Sequence, residues 1–186
     1  MKLIISLLLS LYISSSYGEI KSFESDGNLE PFNPVTCIDM EAVSNRNTPS
    51  DLFVGISDCI AKSDFKKASK LYLVARAYFK FDTLRVEDRS AHQAFSALRQ
   101  IRFSSLKRRT LEKLQNTKSK ITKNRTNFCV ALKKLGKPDY HPKYMIQHGM
   151  GSFLKSEPGN ELVKDFDPEK AWDEVLSGFV KCNEHT

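Results

Sequence analysis

The sequence lacks the short motifs that mark the common hydrolytic and nucleotide-binding sites. It contains no G-x-S-x-G nucleophile elbow and no H-E-x-x-H zinc motif. The triplet Gly149-Met150-Gly151 is not followed by the Lys-Ser/Thr pair of a phosphate-binding loop. These absences favour a binding role over an enzymatic one, and we expect no cofactor.

Long apolar runs are also missing. One mostly apolar run of 11 residues, at residues 3–13, follows Lys2 and precedes the small residues Ser16 and Gly18. A helix needs roughly 20 apolar residues to cross a bilayer. The pattern is instead typical of a secretory signal peptide, and we predict cleavage after Gly18. We therefore expect an exported protein, periplasmic or secreted, whose mature part has no transmembrane segment.

The sequence has no C-x-x-C pair, which argues against a zinc site. An even number of cysteines behind a signal peptide predicts disulfides, here two. Three pairings are possible. We favour Cys37 with Cys59 and Cys129 with Cys182, because each bond would then tie a less regular segment to a helix. We expect no metal ion.

Acidic residues are scarce between residues 104 and 127, where eight Lys and Arg residues accompany Glu112 alone in a chain of net charge +7. We predict an amphipathic, largely exposed helix there. It is either a solvated face or a surface for an acidic protein, anionic lipid head groups or cell-wall polymer. No aromatic residue is interleaved, so nucleic acid is not expected. The candidate binding residues on this helix are Lys107, Arg108, Arg109 and Lys113.

Apolar residues recur at helical spacing through most of the chain after residue 49. We predict an all-α fold, a compact domain of about five to six helices at residues 49–186. An extended arm at residues 19–48 follows the signal peptide at residues 1–18, and Cys37 should pin its second half. The expected helices are residues 50–62, 65–80, 88 or 90 to 103 and 104–127, with residues 128–135 continuing that helix or starting another. A last helix opens at residues 167–169, and Cys182 follows it.

Some of these helices carry signals for their ends and buried faces. Ser50 or Asp51 should cap the first helix and Asp167 the last, and residues 81–88 should form a connector. Trp172, the only tryptophan, is expected to anchor the core. The apolar stripes predict burial of Ala68, Leu71, Tyr72, Ala75, Tyr78 and Phe79, of Ala91, Phe95, Leu98 and Ile101, and of Ala171, Val175, Leu176 and Phe179.

The run GISDCIAKSDFKKASKLYLVAR resembles one helical hairpin of the tetratricopeptide or Sel1 repeats. Ala68, Tyr72 and Ala75 match the repeat in character, whereas Gly55 and Ile56 are swapped in size. No second copy follows about 34 residues later, and an array normally needs at least three units. The resemblance therefore implies a single repeat-like hairpin inside a globular domain.

Residues 138–159 are apolar yet aperiodic and are expected to pack over the helices as a loop. Irregular packed loops often carry function, so we expect any small-molecule or peptide site to lie in this segment. The candidate binding residues are Tyr140, His141, Tyr144 and His148.

The segments FDTLRVEDRSAHQAF, PDYHPKYMIQHGM and FDPEKAWDEVLSGFVKC resemble secreted or periplasmic proteins of Gram-negative bacteria that have no assigned function. The resemblance implies export and transfers no catalytic residue. Our first hypothesis is a binding protein for a protein partner, such as an inhibitor or immunity-like protein. The alternative is an enzyme acting on the cell envelope, which would require convergence of His92, His141, His148, Asp82 and Asp139.

Overall fold

The computed structural model describes residues 25–152, 154 and 161–182, so the predicted signal peptide lies outside the described residues. The described part is all-α, as predicted, and its one β-type pairing is an isolated bridge between Val86 and Leu162. It contains seven α-helices, slightly more than expected: α1 (Pro49–Ala61), α2 (Phe65–Arg85), α3 (Ala94–Phe103), α4 (Arg108–Lys123), α5 (Thr126–Leu135), α6 (Lys143–Ile146) and α7 (Pro168–Glu174).

Helix α2 is the centre of the domain. It is joined to α1 by three residues, so the two helices pack as an antiparallel hairpin, and α4 and α7 also contact it. Buried residues therefore lie on most of its circumference, including the adjacent Leu73, Val74 and Ala75. Because buried positions surround most of the helix, α2 lies in the core, and it is the element against which the site described below is built.

The N-terminal arm is held against α1 by hydrogen bonds and by a close backbone approach. The backbone N–H of Cys37 donates to Asp58 Oδ2 at 2.8 Å, and Ser50 donates to the carbonyl of Leu29 at 2.9 Å. A Cβ atom on Gly55 would lie 2.7 Å from the carbonyl oxygen of Thr36. Only glycine fits this contact, so the arm and α1 share one interface.

The prediction that Ser50 or Asp51 caps α1 is wrong. Thr48 occupies the cap: its side chain accepts from the N–H of Asp51 at 3.2 Å, and Asp51 Oδ2 accepts from the N–H of Thr48 at 2.7 Å. This reciprocal pair is a capping box. Ser50 is instead fully buried, and Pro49 takes the first helical position, where its missing N–H costs nothing.

The predicted connector at residues 81–88 is helical in its first five positions, because α2 continues to Arg85. Phe81 is buried against Phe166 and Trp172, and Asp82 is completely buried. These tertiary contacts outweigh the weak helix propensity of an aspartate. The predicted third helix starts as a short 3₁₀ helix, Arg89–Gln93, capped by Asp88.

Two residues assigned to inner faces are exposed. Ile101 on α3 is 61% exposed and Phe179 is 38% exposed, whereas the other predicted core positions are buried or half-buried. Phe179 turns outward because α7 continues as a π-helix, Val175–Val180, whose wider turn shifts the side-chain register. Asp167 caps α7 as predicted, and Trp172 is buried against Tyr78 and Phe81.

Both predicted disulfides are present, Cys37–Cys59 and Cys129–Cys182. The first fastens the arm to α1, and the second fastens the C-terminal π-helical segment to α5. The 22- and 53-residue separations close loops whose entropy contributes about 3 and about 4 kcal/mol in the chain-entropy model.

Candidate functional site

A groove runs between α2, α3 and α4 and is closed at one end by the π-helical segment. Its volume is about 590 Å³, within the range of roughly 300–1,000 Å³ typical of small-molecule sites. We call it the cationic groove. Its lining comprises five aromatic rings, three cationic side chains and three other residues: Tyr72, Phe79, Phe95, Phe103, Phe179, Arg76, Arg99, Lys118, Leu111, Leu114 and Gln115.

The charges in this groove are of one sign. Arg76 comes from α2, Arg99 from α3 and Lys118 from α4, and the lining contains no carboxylate. Among the described residues, none of the three forms an ion pair, although Glu112 of α4 lies nearby and pairs with Arg108. Three uncompensated cations around one concave surface create a positive potential that attracts anions.

Lys118 is the most deeply placed of the three cations. Its side chain is half-buried, and its Nζ lies 4.0 Å from the centroid of the Tyr72 ring. Burial lowers the pKa of Lys118 to about 8, and repulsion from Arg76 and Arg99 acts in the same direction. The amine is therefore partly neutral near physiological pH, and a bound anion would favour its protonated form.

Aromatic rings form the floor of the groove. The Tyr72 ring lies 5.6 Å from that of Phe95 and 6.2 Å from that of Phe103, and both phenylalanines also contact Phe53 of the core. Arg76 covers the outward ring of Phe179 at 5.1 Å. Rings packed at such distances hold one another in place, so the floor is a preformed apolar surface beneath the cations.

The predicted basic residues of α4 lie outside this groove. Lys107, Arg108 and Arg109 are exposed at the start of the helix, and Arg108 pairs with Glu112 at 2.7 Å. Lys113 is also exposed, with its Nζ 5.6 Å from the Phe65 ring. Lys118 is the residue of the basic run that reaches the groove.

A second cavity, of about 540 Å³, contains three of the four binding residues predicted in the aperiodic segment. Tyr140, His141 and Tyr144 line it beside the arm, whereas His148 is elsewhere and bonds Asn28 at 3.0 Å. Its charges are mixed: Glu30 and Asp139 accompany Arg46 and Lys143, and Arg46 pairs with Asp139 at 3.4 Å. This balance gives it no preference for one sign of ligand.

Behind the second cavity, a buried carboxylate joins the loop to α2. Asp82 Oδ2 accepts hydrogen bonds from the hydroxyls of Tyr140 at 2.9 Å and Tyr144 at 2.8 Å, and Arg85 pairs with Oδ1 at 2.7 Å. Burial raises the pKa of the Asp82 carboxyl, while Arg85 and the two hydroxyls oppose that shift. The carboxylate is already bonded to Arg85 and to both tyrosine hydroxyls, so this cluster holds residues 140–144 against α2.

The five candidates for the envelope-enzyme alternative have different surroundings. Asp139 and His141 line the second cavity, Asp82 is enclosed by its tyrosine and arginine partners, and His92 Nε2 bonds the carbonyl oxygen of Val86 at 3.1 Å. Burial lowers the pKa of His148. Between residues 25 and 182, as far as the structure describes them, no hydrogen bond joins a histidine to a carboxylate.

The sequence did not predict the two arginines of the cationic groove, Arg76 and Arg99, as binding residues. Both are exposed on helices whose opposite faces are buried, so no local pattern distinguishes them from other surface arginines. A local signal existed for Lys118, which lies four positions after the buried Leu114 and therefore on the same face of α4.

Two further properties bear on the site. No group of three or more His, Cys, Asp or Glu residues in the described part of the chain could hold a metal ion. Among the helices that were described, none combines the length and apolar character needed to span a bilayer.

Comparison with known proteins gives no relative: no family model, no curated protein and no solved structure matches this chain.

Proposed function

We propose that this chain is an exported, non-enzymatic binding protein whose ligand is a small anionic amphiphile held in the cationic groove. One observation carries the proposal: three cationic side chains face an aromatic floor, and no carboxylate lines the groove. The ligand's anionic group would lie between Arg76, Arg99 and Lys118. Its apolar body would cover the rings of Tyr72, Phe95 and Phe103, because burying those faces removes apolar surface from water.

Several features support export and the binding assignment. Two disulfides suit an oxidising compartment, and residues 1–18 have the pattern of a signal peptide. The periplasm is the more specific location that we propose among oxidising compartments. The α1–α2 hairpin, with its likeness to a single tetratricopeptide-type unit, would serve as the scaffold that presents one wall of the groove.

The shape and the charge of the groove both favour a small amphiphilic ligand. A flat protein surface would need well over 1,000 Å² of buried area for a stable complex, whereas the groove is concave and encloses about 590 Å³. Guanidinium groups bind carboxylate, sulfate and phosphate oxygens through paired donors. The groove therefore suits one anionic head group attached to a short apolar chain.

The proposal is tested with octyl sulfate, whose charge does not titrate, and with octyl glucoside, its uncharged counterpart. Isothermal titration calorimetry of the disulfide-bonded protein, below the micelle concentration, should show saturable binding of octyl sulfate alone. Arg76→Gln with Arg99→Gln should weaken that binding by at least about tenfold, since each loses a charge-assisted hydrogen bond.

Lys107→Gln with Arg109→Gln is the matched control, because both side chains are exposed and lie outside the groove. It removes the same two positive charges and should leave the affinity nearly unchanged. Equal binding of the two octyl compounds, or equal losses in the groove and control variants, would contradict the proposal.

A protein partner, as in an inhibitor or immunity-like protein, is the second candidate. It is favoured by Phe32, which is 84% exposed at the rim of the second cavity beside Pro31. An exposed ring next to a cavity is typical of an interaction surface. Purification from its own compartment should then recover a stoichiometric partner that Phe32→Ser releases; release by Arg76→Gln instead would assign the partner to the cationic groove.

A further inference from the structure

We infer that Lys118 is a nucleophilic amine of the cationic groove, which condenses reversibly with aldehydes that carry an anionic group on an apolar body. This rests on the proposed function, because the anionic group would bind at the same two arginines. It adds to that function a covalent step at one named nitrogen.

The surroundings of the amine favour this chemistry. Lys118 Nζ lies 4.0 Å from the Tyr72 ring centroid, on the wall of a groove lined by five aromatic rings. Every charged group that lines the groove with it is another cation, Arg76 from α2 and Arg99 from α3. On its own helix, the nearest acid by the groove is Glu112, which is paired with Arg108. A lysine among apolar groups and other cations is a recognised form of activated amine.

The same surroundings determine what fraction of the Lys118 amine is neutral and can therefore react. Burial, with repulsion from Arg76 and Arg99, lowers the pKa of Lys118 to about 8. About a tenth of it is therefore neutral at pH 7, against less than about a thousandth for an ordinary lysine. Lys120, two residues along the same helix, is exposed and provides an internal comparison.

The step is a simple condensation. The nitrogen lone pair of the neutral amine attacks the aldehyde carbon, a C–N bond forms, and the carbonyl π pair moves to oxygen, which receives one of the two protons of the nitrogen. The nitrogen lone pair of the carbinolamine then forms the C=N bond as the hydroxyl group takes a proton and leaves as water, and the nitrogen gives up its remaining proton. One amine and one aldehyde give one imine and one water, with no oxidant or reductant.

The probe is 4-formylbenzoate, with benzaldehyde as its uncharged counterpart. Sodium cyanoborohydride traps the imine by delivering hydride to its carbon, and peptide mass spectrometry locates the adduct. At pH 7, Lys118 should be labelled at least about tenfold faster than the exposed Lys120 by 4-formylbenzoate, because about a tenth of the Lys118 amine is neutral at that pH. Its labelling should also reach half its maximum near pH 8, well below the pH of about 10.4 at which an ordinary lysine is half neutral.

Two further measurements separate this inference from the proposed function. Octyl sulfate should slow labelling of Lys118 but not of Lys120. Arg99→Gln should reduce labelling by 4-formylbenzoate more than labelling by benzaldehyde, because only the former uses the anion contact.

Labelling of Lys118 no faster than Lys120, in protein that still binds octyl sulfate, would overturn the inference and leave the proposed function intact. Loss of octyl sulfate binding together with retained selective labelling of Lys118 would overturn the proposed function instead. In that case the amine would be activated in a groove with a different ligand.

Discussion

The hydroxyl of Tyr144 donates a 2.8 Å hydrogen bond to the Oδ2 atom of Asp82, although the two residues are 62 positions apart. Tyr144 is 2% exposed and Asp82 is fully buried, so water cannot replace this bond if it is lost. The bond joins α6, a short helix within the segment predicted to be a loop, to the last turn of α2, and the stability of that junction can be measured.

Tyr144→Phe should lower the free energy of unfolding by about 1.5–3 kcal/mol, since it removes a hydrogen bond to a buried carboxylate. Urea denaturation followed by the fluorescence of Trp172 measures the change. Tyr78→Phe is the matched comparison, because the Tyr78 hydroxyl donates to a neutral carbonyl, that of Gly136, at 3.1 Å. Its loss should cost only about 0.5–1.5 kcal/mol; an equal or larger loss would show that Asp82 is not the stronger acceptor.

None of the four tyrosines in the described part of the chain should titrate normally in the folded state. Burial raises the pKa of Tyr72, Tyr78, Tyr140 and Tyr144, and the remaining two tyrosines lie in the predicted signal peptide. In the unfolded chain these groups ionise near pH 10. The native state therefore binds more protons above that pH, and the stability that is fully present below about pH 10 is lost as pH rises.

The measurement is absorbance of tyrosinate near 295 nm in protein that lacks residues 1–18. Each buried tyrosine lowers stability by up to about 1.4 kcal/mol per pH unit above its unfolded pKa. The absorbance should therefore rise only together with the loss of helical circular dichroism. A tyrosinate signal near pH 10 in protein that keeps its helical signal would contradict this prediction.

Gly55→Ala should destabilise the protein by about 1–3 kcal/mol, as overpacking does in other tight interfaces. The new methyl group would lie 2.7 Å from both the Thr36 carbonyl oxygen and Val35 Cγ2. Gly178→Ala is the control, because nothing lies within 4 Å of its Cβ position. Gly178→Ala should be neutral or stabilising by up to about 1 kcal/mol. Urea denaturation measures both variants. Equal changes in stability at the two sites would argue against the close approach of the arm to α1.

Binding of octyl sulfate should weaken as pH rises through about 8, because Lys118 then loses its charge. The sulfate itself does not titrate, so the change reports on the protein. Calorimetry near pH 8 in two buffers of different ionisation enthalpy should reveal proton uptake by the complex. Lys118→Arg, which stays charged, should abolish both the pH dependence and the proton uptake; an unchanged pH profile in this variant would assign the titration to another group.

Replacing both cysteines of a disulfide by serine should lower stability by about 4 kcal/mol for Cys129–Cys182 and about 3 kcal/mol for Cys37–Cys59. The larger effect follows from the longer loop, 53 residues against 22. Urea denaturation of the two double variants gives the comparison. A larger loss of stability for the Cys37–Cys59 variant would show that the contact between the arm and α1, rather than loop entropy, dominates the effect of that disulfide.

The helices were predictable where apolar residues repeat at helical spacing. They were not predictable where the end of a helix depends on contacts with residues far away in the sequence. Apolar spacing located α1 and the first four turns of α2, and cysteine count predicted the disulfides. The last turn of α2 was missed because Asp82 looks unfavourable until Tyr140 and Tyr144 satisfy it from 58 and 62 residues away. Local propensity contains no information about such partners.

The candidate site was harder to predict than the fold, for a geometric reason. Arg76, Arg99 and Lys118 belong to three separate helices, and only the packing of α2, α3 and α4 brings them to one groove. The strongly basic run predicted a binding surface on α4. On that helix Arg108 and Arg109 are exposed, whereas Lys118 is half-buried. Leu114, which is buried four positions before Lys118, was the one local clue to which lysine faces inward.

The Cys129–Cys182 bond has a consequence for where the protein can work. Phe179, which closes one end of the cationic groove, lies three residues before Cys182, and Arg125 Nη1 holds the adjacent Val180 carbonyl at 2.9 Å. Burial of Val175 and Leu176 also holds this end wall, and the disulfide adds a covalent restraint just after its last turn. A chain with reduced cysteines would therefore hold this end of the groove less firmly. If the proposed export and binding are correct, oxidation of Cys129 and Cys182 would rigidify the groove only in a compartment that permits disulfides.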